Sequence, residues 1–194
     1  MHHLIEQNTD EWMELRRGKF TASSFSDLFL KPTTAGYRNA IFKVVYERLT
    51  GEQPESFTND WMQRGHELEP FAVQQYELET FNDVLPGGFF ELNDYVGASP
   101  DGLIGEDGLL EIKCPAYSTM IQYLIDRKLP TQYKWQVQGQ LYVTGRKWTD
   151  FFAYHPKLKP IIIRVERDEV MISELEQKLF DCIKEVETII TKLK

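Results

Sequence analysis

The chain lacks any long apolar run. None of the apolar stretches in its 194 residues approaches the roughly 20 residues that a membrane-spanning helix needs. The first residues, MHHLIEQNTDEW, lack the basic and then apolar pattern of a signal peptide. The two cysteines, Cys114 and Cys182, have no CxxC spacing, which excludes a disulfide framework and a zinc or iron–sulfur set. These absences predict a cytoplasmic protein with two reduced thiols and no membrane contact.

An overall positive charge is also missing, since the formal net charge is −8. The charges are unevenly distributed: residues 51–111 contain one basic and fourteen acidic side chains, whereas residues 112–167 contain ten basic and three acidic ones. Two interpretations are open. The segments could be chance clusters of solvated charge, or they could form an acidic pocket that needs cations beside a basic surface that binds an anion.

The composition is that of an ordinary globular protein, with 42% apolar and 27% charged residues. A chain of this length can bury one core but is too short for two full domains, so we expect a single domain over residues 1–194. The predicted order of elements is helices, a strand meander, helices, two strands and a helix. This order favours an α/β fold with a central mixed sheet flanked by helices.

Several elements can be predicted from local patterns. We expect helices over 9–17 with Thr9 as N-cap, over 21–30 and 37–51, over 61–81, over 116–128 and 131–143, and over 168–193. The helix over 61–81 would become regular near Pro70 and carry one apolar face of Leu68, Phe71, Ala72 and Tyr76. The predicted strands are FFELN, YVGASPDGLI, LLEIKCP, WTDFFAYHP and PIIIRVERD.

One hairpin carries the candidate chemistry. In SPDGLIGEDGLLEIKCP, the GEDG turn folds the strand of Asp101 back against the strand of Glu111. Pairing Ile104 near Leu109 places Asp101 beside Glu111 to within one residue. Cross-strand neighbours have Cβ atoms about 5 Å apart, so the two carboxylates can share one cation.

Side-chain alternation in the Glu-Ile-Lys triplet predicts that Glu111 and Lys113 point to one face and that Ile112 points into the core. Two carboxylates and a lysine on one face favour a divalent cation between them. Their hard oxygen ligands, with the backbone carbonyl of Ile112 as a further ligand, favour Mg²⁺ or Mn²⁺ over zinc. The alternative is a plain turn followed by an edge strand with solvated charges. The nine-residue spacing around an Asp-Gly hairpin favours the cation site.

The pattern Asp-x9-Glu-x-Lys resembles the PD-(D/E)xK nuclease superfamily. The strings SPDG and LEIKCP resemble the lambda-exonuclease family of phage recombination nucleases, also called the YqaJ viral recombinase family. Further similarity extends from about residue 8 to residue 170. It includes Trp12, Arg16, Gly18, Thr21, Ala22, Ser23, Gly65, Glu69, Tyr133, Gln136, Gln138 and the segment 165–169.

The resemblance implies catalytic roles. Asp101 and Glu111 would hold the catalytic metal, and Glu69 would help to hold a second metal ion. Lys113 would orient the attacking water and help to deprotonate it, and Gln136 would position water or substrate.

The resemblance also implies a supporting role for Tyr133 and a further acidic residue at Glu91. Arg16, Ser23 and Ser99 would form a pocket for the terminal 5′-phosphate of DNA. From the residue types alone, we expect Trp12 in the core, and His66 and His155 at surface or structural positions, because a hard-cation site does not need imidazole.

The implied function is that of a phage-type alkaline exonuclease with a restriction-endonuclease-like core. Such an enzyme digests linear double-stranded DNA 5′→3′ by two-metal phosphodiester hydrolysis and leaves 3′ overhangs for single-strand annealing. The implied partners are DNA ends, two further copies of the chain in a homotrimer, and an annealing protein, in the cytoplasm of a bacterial host. Two alternatives remain: a restriction-like or RecB-like endonuclease, and a non-catalytic DNA-binding module.

Overall fold

A computed structural model describes residues 1–54 and 60–194, with the side chains of residues 60–63 left out of the description. The helices of this part are α1 (Asp10–Arg16), α2 (Phe25–Leu28), α3 (Ala35–Thr50), α4 (Asp60–Thr80), α5 (Tyr117–Asp126), α6 (Lys134–Thr144) and α7 (Glu169–Leu193). The strands are β1 (His2–His3), β2 (Phe20–Thr21), β3 (Val84–Pro86), β4 (Phe89–Asn93), β5 (Val96–Ala98), β6 (Gly102–Ile104), β7 (Gly108–Lys113), β8 (Trp148–His155) and β9 (Leu158–Glu166).

A five-stranded sheet forms the centre of the fold, in the order β3-β6-β7-β8-β9. Strand β7 is parallel to β8, and the other neighbours are antiparallel, so the sheet is mixed. Five of the six residues of β7 are buried, because α4 packs against this strand and α6 packs nearby against β8. The predicted mixed sheet with flanking helices is confirmed.

The register of the central hairpin agrees with the prediction to within one residue. Ile104 pairs with Gly108, and the backbone N–H of Asp101 donates to the carbonyl of Leu110 at 3.1 Å. Continuing this antiparallel register places Asp101 opposite Glu111. The GEDG turn and the alternation of side chains therefore bring the two carboxylates together, as expected.

The prediction of one strand over YVGASPDGLI is wrong. The segment forms β5 and β6, which belong to different sheets. Proline has no N–H to donate to a sheet ladder, so pairing stops around Pro100. Strand β5 joins a second sheet in the order β1-β4-β5-β2, and the segment from Ser99 to Asp101 connects the two sheets.

A side-chain cap explains where α1 begins. The hydroxyl oxygen of Thr9 accepts a hydrogen bond from the backbone N–H of Trp12 at 3.3 Å, as its predicted N-cap role requires.

The prediction of a single helix over 21–30 is wrong. A short 3₁₀ turn from Ala22 to Ser24 precedes the one-turn helix α2.

Helix α4 begins at Asp60 and continues through Pro70, so the expected start of the regular helix near this proline is wrong. Proline removes one backbone hydrogen bond of the helix. Packing of Ala72 and Tyr76, which are both fully buried in the cluster beside β7, offsets that loss. The predicted apolar face is only partly right, because Phe71 is 57% exposed.

The long C-terminal helix α7, predicted over 168–193, is amphipathic, with its apolar residues on one stripe. Its buried residues include Leu175, Leu179 and Val186, and it packs against α3. The carboxylate of Asp168 caps its first turn by accepting from two backbone N–H groups. Within the described part of the chain, no helix is long and apolar enough to cross a membrane.

Candidate active site

The carboxylate of Glu111 is the centre of the site. This residue is only 1% exposed. Its Oε1 accepts a hydrogen bond from Nε2 of Gln136 at 2.6 Å, its Oε2 accepts one from Nε2 of Gln140 at 2.6 Å, and Oε1 also forms an ion pair with Lys113. A buried charge is costly unless donors surround it, and these three donors hold the carboxylate in one orientation.

Two further carboxylates act on the same site. The Oδ2 atom of Asp101 accepts a hydrogen bond from the backbone N–H of Ile112 at 2.6 Å. Burial raises the pKa of Asp101 well above its usual value, and the charges of Glu111 and Glu69 raise it further. Burial likewise raises the pKa of Glu69, which lies on α4, and Glu111 adds to this rise. Negative charge is therefore crowded around Asp101.

The donor set fits a hard divalent cation. The three carboxylates carry more negative charge than Lys113 balances, and a cation would relieve their repulsion. An all-oxygen set of carboxylates and a backbone carbonyl suits Mg²⁺ or Mn²⁺, whereas zinc sites generally include histidine nitrogen or cysteine sulfur. Among residues 1–54 and 60–194, no three His, Cys, Asp or Glu side chains form a ready metal cluster. The hydrogen bonds of Asp101 and Glu111 therefore have to rearrange in part when a cation binds.

Lys113 is a cation in this arrangement. Burial opposes its charge, but the carboxylates of Glu111 and Asp101 more than offset burial, so the pKa of Lys113 lies above its usual value. Its Nζ atom also lies 5.2 Å from the ring centre of Tyr133. The Tyr133 ring packs against Phe151, which fixes the ring beside the lysine. Its supporting role in the site stays a prediction.

Gln140, the second glutamine that donates a hydrogen bond to Glu111, is a site residue that the sequence analysis did not predict. Gln136 and Gln140 are four residues apart on α6, so they lie on the same face of the helix. That spacing was the available signal. Gln138 has a different role, because its Nε2 donates to the carbonyl of Glu166 and its Oε1 accepts from the N–H of Asp168.

The residues predicted to bind a phosphate also come together. Arg16 donates through Nη1 to Oγ of Ser99 at 3.2 Å and through Nη2 to Oγ1 of Thr21 at 3.3 Å. Oγ of Ser23 lies 3.3 Å from the same Thr21 oxygen. Trp12 donates from Nε1 to Ser99 at 2.9 Å, and its ring lies 4.0 Å from the Arg16 guanidinium. Trp12 thus joins a cluster that we call the phosphate pocket after its predicted ligand, and the expectation of a core role for Trp12 is wrong. The cluster consists of Trp12, Arg16, Thr21, Ser23 and Ser99.

The phosphate pocket is rich in hydrogen-bond donors. Oγ of Ser99 accepts from both Trp12 and Arg16, so its own hydroxyl hydrogen is directed to another acceptor. Burial lowers the pKa of Arg16 to about 10, and the charge of Glu47 opposes that change. Arg16 therefore remains cationic at neutral pH. A partly buried arginine with hydroxyl groups beside it is suited to an anion.

Glu91 is not brought into contact with the other carboxylates. It forms ion pairs with Lys19 at 3.0 Å and with His3 at 3.3 Å, on the four-stranded sheet. The hydrogen bond from Lys19 is the main cause that lowers the pKa of Glu91. These contacts explain Glu91 as a residue that ties the N-terminus to β4.

His66 lies closer to the site than expected. Its Nδ1 atom is 3.9 Å from Oε2 of Glu69. Both side chains line a cavity of about 390 Å³ that also reaches Asp101. The predicted surface position is correct in that His66 remains half exposed.

The fold and the site together define the class of protein to which this chain belongs. A mixed sheet whose central hairpin carries Asp101, Glu111 and Lys113 on adjacent strands is a restriction-endonuclease-like nuclease core. The YqaJ-like viral recombinase domain matches residues 11–147, and the chain belongs to this family.

Solved structures agree with this assignment. The alkaline exonuclease LHK-Exo from Laribacter hongkongensis is 38% identical, with a TM-score of 0.89 over 95% of this chain and 96% of that chain. LHK-Exo in complex with dAMP is also 38% identical, with a TM-score of 0.90 over 96% of each chain. A phage-related exonuclease from Haemophilus somnus shares the fold, at 14% identity and a TM-score of 0.75 over 94% of this chain and 100% of that chain. Comparison with curated proteins finds no match. These similarities support a hydrolase of the exonuclease type.

We predict that Gln140→Leu lowers the nuclease rate at least about tenfold, because a hydrogen bond to a charged group contributes on the order of 1.5–3 kcal/mol. Stability should fall as well, since Oε2 of the buried Glu111 loses a donor, although leucine also removes Oε1 of Gln140, a buried acceptor without a partner in the described part of the chain. The measurement is a digestion time course together with a thermal melt. The matched control is Gln122→Leu on α5, where the glutamine is exposed. An unchanged rate in Gln140→Leu would exclude this role.

Proposed function

We propose that the chain is a 5′→3′ exonuclease that removes mononucleotides from linear double-stranded DNA and leaves 3′ overhangs. The observation that carries this proposal is the position of the phosphate pocket, which lies two residues before the carboxylate site on the same segment. An anion pocket beside a hydrolytic site suits an enzyme that binds the end of its substrate. An enzyme that cuts within a strand has no need for it.

The short spacing between Ser99 and Asp101 determines which product we expect. Ser99 and Asp101 are two residues apart, which is at most about 7 Å along an extended backbone. We expect that a strand whose terminal phosphate is bound at Ser99 presents its next phosphodiester to Asp101 and Glu111. Cleavage there releases one nucleotide. The complex of the similar protein LHK-Exo with dAMP supports a nucleoside monophosphate as product.

We further propose that two Mg²⁺ ions, for which Mn²⁺ can substitute, are the cofactors. Asp101, Glu111 and the backbone carbonyl of Ile112 would hold one ion, and Glu69 would help to hold the second. Bound cations of this kind lower the pKa of water and stabilise the attacking and leaving oxygens of an in-line displacement. The carboxylates fit this role because their repulsion is unbalanced in the protein alone.

The remaining side chains orient the reactants. Lys113 is protonated while it faces two carboxylates, so in this state it stabilises negative charge on the scissile phosphate or on hydroxide. Neutralisation of those carboxylates by cations would lower its pKa and allow it to accept a proton from water, the role predicted from the family. Gln136 and Gln140 hold Glu111 in place, and Gln136 is the more exposed of the two.

Two other functions are compatible with this fold. A restriction-like or RecB-like endonuclease would use the same carboxylates without a pocket for a strand end. A non-catalytic DNA-binding module would not require Asp101, Glu111 and Lys113 to converge, and their convergence favours an enzyme.

The chain also offers surfaces for a homotrimer. One exposed apolar patch, the α5 patch, consists of Tyr117, Ile121 and Ile125 on α5, a helix that packs on β8 and β9. A second, the α4 patch, consists of Phe71, Leu78, Phe81 and Leu85, next to β3. Strands β9 and β3 are opposite edges of the central sheet. A contact between two different patches is heterologous, and repetition of such a contact closes a ring when the rotation between neighbouring copies is a whole fraction of a turn.

We propose a ring of three copies, the number that the family resemblance implies, with DNA in its channel. The basic segment 112–167 would line the channel, and its exposed side chains Lys128 and Lys134 lie before and at the start of the helix that carries Gln136. The 3′ overhang would then pass to a single-strand annealing protein. The setting would be the cytoplasm of a bacterial host that carries the phage or prophage.

We predict that Asp101→Ala and Glu111→Ala abolish Mg²⁺-dependent digestion of linear duplex, because each removes an anionic ligand. Lys113→Ala should be close to inactive and still bind metal. Release of mononucleotides is the measurement, with and without Mg²⁺. The matched control is Glu106→Ala, an exposed acid in the turn of the same hairpin.

Closed circular DNA separates the two nuclease functions in this experiment. An exonuclease leaves the circle intact, and an endonuclease opens it. Near-normal digestion by Asp101→Ala or Glu111→Ala would refute the carboxylate site.

We predict that the enzyme digests duplexes with 5′-phosphate ends roughly ten- to a hundredfold faster than those with 5′-hydroxyl ends, since an arginine–phosphate contact contributes on the order of 1.5–3 kcal/mol. Arg16→Ala should remove this preference. Arg16→Lys should retain part of the preference, because lysine supplies the positive charge but lacks the planar guanidinium that donates two parallel hydrogen bonds to a phosphate. Arg38→Ala, at an exposed arginine, is the control. If Arg16→Ala keeps the preference, the phosphate pocket is wrong.

We predict that light scattering finds a particle of three times 22.8 kDa. Ile125→Asp in the α5 patch should yield monomers, because a buried charge at an interface is unfavourable. Leu30→Asp, an exposed apolar residue outside both patches, should remain trimeric. A wild-type monomer at micromolar concentration would contradict the ring.

A further inference from the structure

The position of Arg16 depends on contacts at the ends of a short helix. Arg16 is the last residue of α1, which has seven residues, none of them fully buried. A helix of this length is not stable by itself, so tertiary contacts have to hold it. The chain turns immediately afterwards at Gly18, whose φ of +70° is a left-handed conformation that glycine adopts without strain.

Two adjacent residues of α3 hold this turn. Oε2 of Glu47 accepts a hydrogen bond from the backbone N–H of Gly18 at 2.7 Å, and Nε of Arg48 donates to the carbonyl of Gly18 at 2.8 Å. We call these two contacts the Gly18 clamp. A Cβ atom at position 18 would lie 3.0 Å from Cγ of Arg48, so the clamp also needs the absence of a side chain.

Glu47 is an unusual residue for a purely structural hydrogen bond. It is only 3% exposed, and its ion-pair partner Lys43 is 3.7 Å away with a half-exposed side chain. A buried carboxylate needs compensation, and Lys43 supplies little of it. Burial lowers the pKa of Arg16, and the negative charge of Glu47 opposes this change.

We propose that Glu47 is a positioning residue for the phosphate pocket: through the Gly18 clamp it holds the end of α1 so that Arg16 faces Ser99 and Thr21. Glu47 itself does not touch the phosphate. This role rests on the proposed recognition of a 5′-phosphate by Arg16. It adds a residue of α3 to the machinery that selects a strand end.

The test uses the ratio of digestion rates on 5′-phosphate and 5′-hydroxyl duplexes, measured below saturation. Glu47→Met has a similar size but offers no acceptor to Gly18, and it should lower the ratio at least about tenfold, since a displacement of about 1 Å can cost a hundredfold. The rate on 5′-hydroxyl ends should stay within about twofold. Glu47→Gln keeps an acceptor oxygen and should retain most of the preference. Glu52→Met, at an exposed acid just beyond α3, is the matched control.

Each outcome decides the proposal. An unchanged ratio in Glu47→Met overturns it, as does an equal loss on both substrates, which would mean a general structural role. A ratio in Glu47→Gln as low as in Glu47→Met also overturns it, because charge rather than the hydrogen bond would then matter. If thermal melting shows that Glu47→Met is unfolded, Arg48→Met tests the other half of the clamp, with the same loss expected.

The phosphate pocket itself is tested separately by Arg16→Ala. A wild-type preference that Arg16→Ala removes and Glu47→Met retains refutes the Glu47 role and leaves the pocket in place. A wild type without any preference refutes both.

Discussion

The buried carboxylate of Glu111 is the constraint on which the site depends. A charge that is 1% exposed has to be matched by donors or cations. Two glutamines of α6 supply donors, which couples this helix to β7. Lys113 on the same strand supplies a positive charge, and Asp101 opposite adds a second negative one. The proposal of a bound cation therefore rests on how the sheet is buried.

The division of the chain into two sheets at Pro100 connects the carboxylate site to the phosphate pocket. Strand β5 and strand β6 flank this proline, and α6 packs against strands of both sheets. Ser99 consequently lies on the side of Arg16 and Trp12, whereas Asp101 lies on the side of Glu111. Because the connection is so short, the distance between an anion pocket and a hydrolytic site is set by backbone geometry.

The charge distribution now has a physical basis. Of the acidic residues of segment 51–111, Glu69, Asp101 and Glu111 form the carboxylate site, which favours cations. The basic segment that follows begins with Lys113 and includes the exposed residues Lys128 and Lys134 beside α6. A net charge of −8 is therefore compatible with binding a polyanion, since local potential and bound cations decide where the anion binds.

The amino-acid sequence by itself determined the hairpin of Asp101 and Glu111, the face shared with Lys113 and the stripe of α7, because turn residues and side-chain periodicity act over a few residues. The family motifs added Arg16, Ser23 and Ser99 as a group. Only the tertiary structure decided that Arg16 meets Ser99 across 83 residues of chain, that Trp12 joins them, that Gln140 reaches Glu111 and that Glu47 holds Gly18. Contacts of this kind arise from how whole elements pack. A local period, such as the four-residue spacing of Gln136 and Gln140, places residues on one face but does not determine what that face contacts.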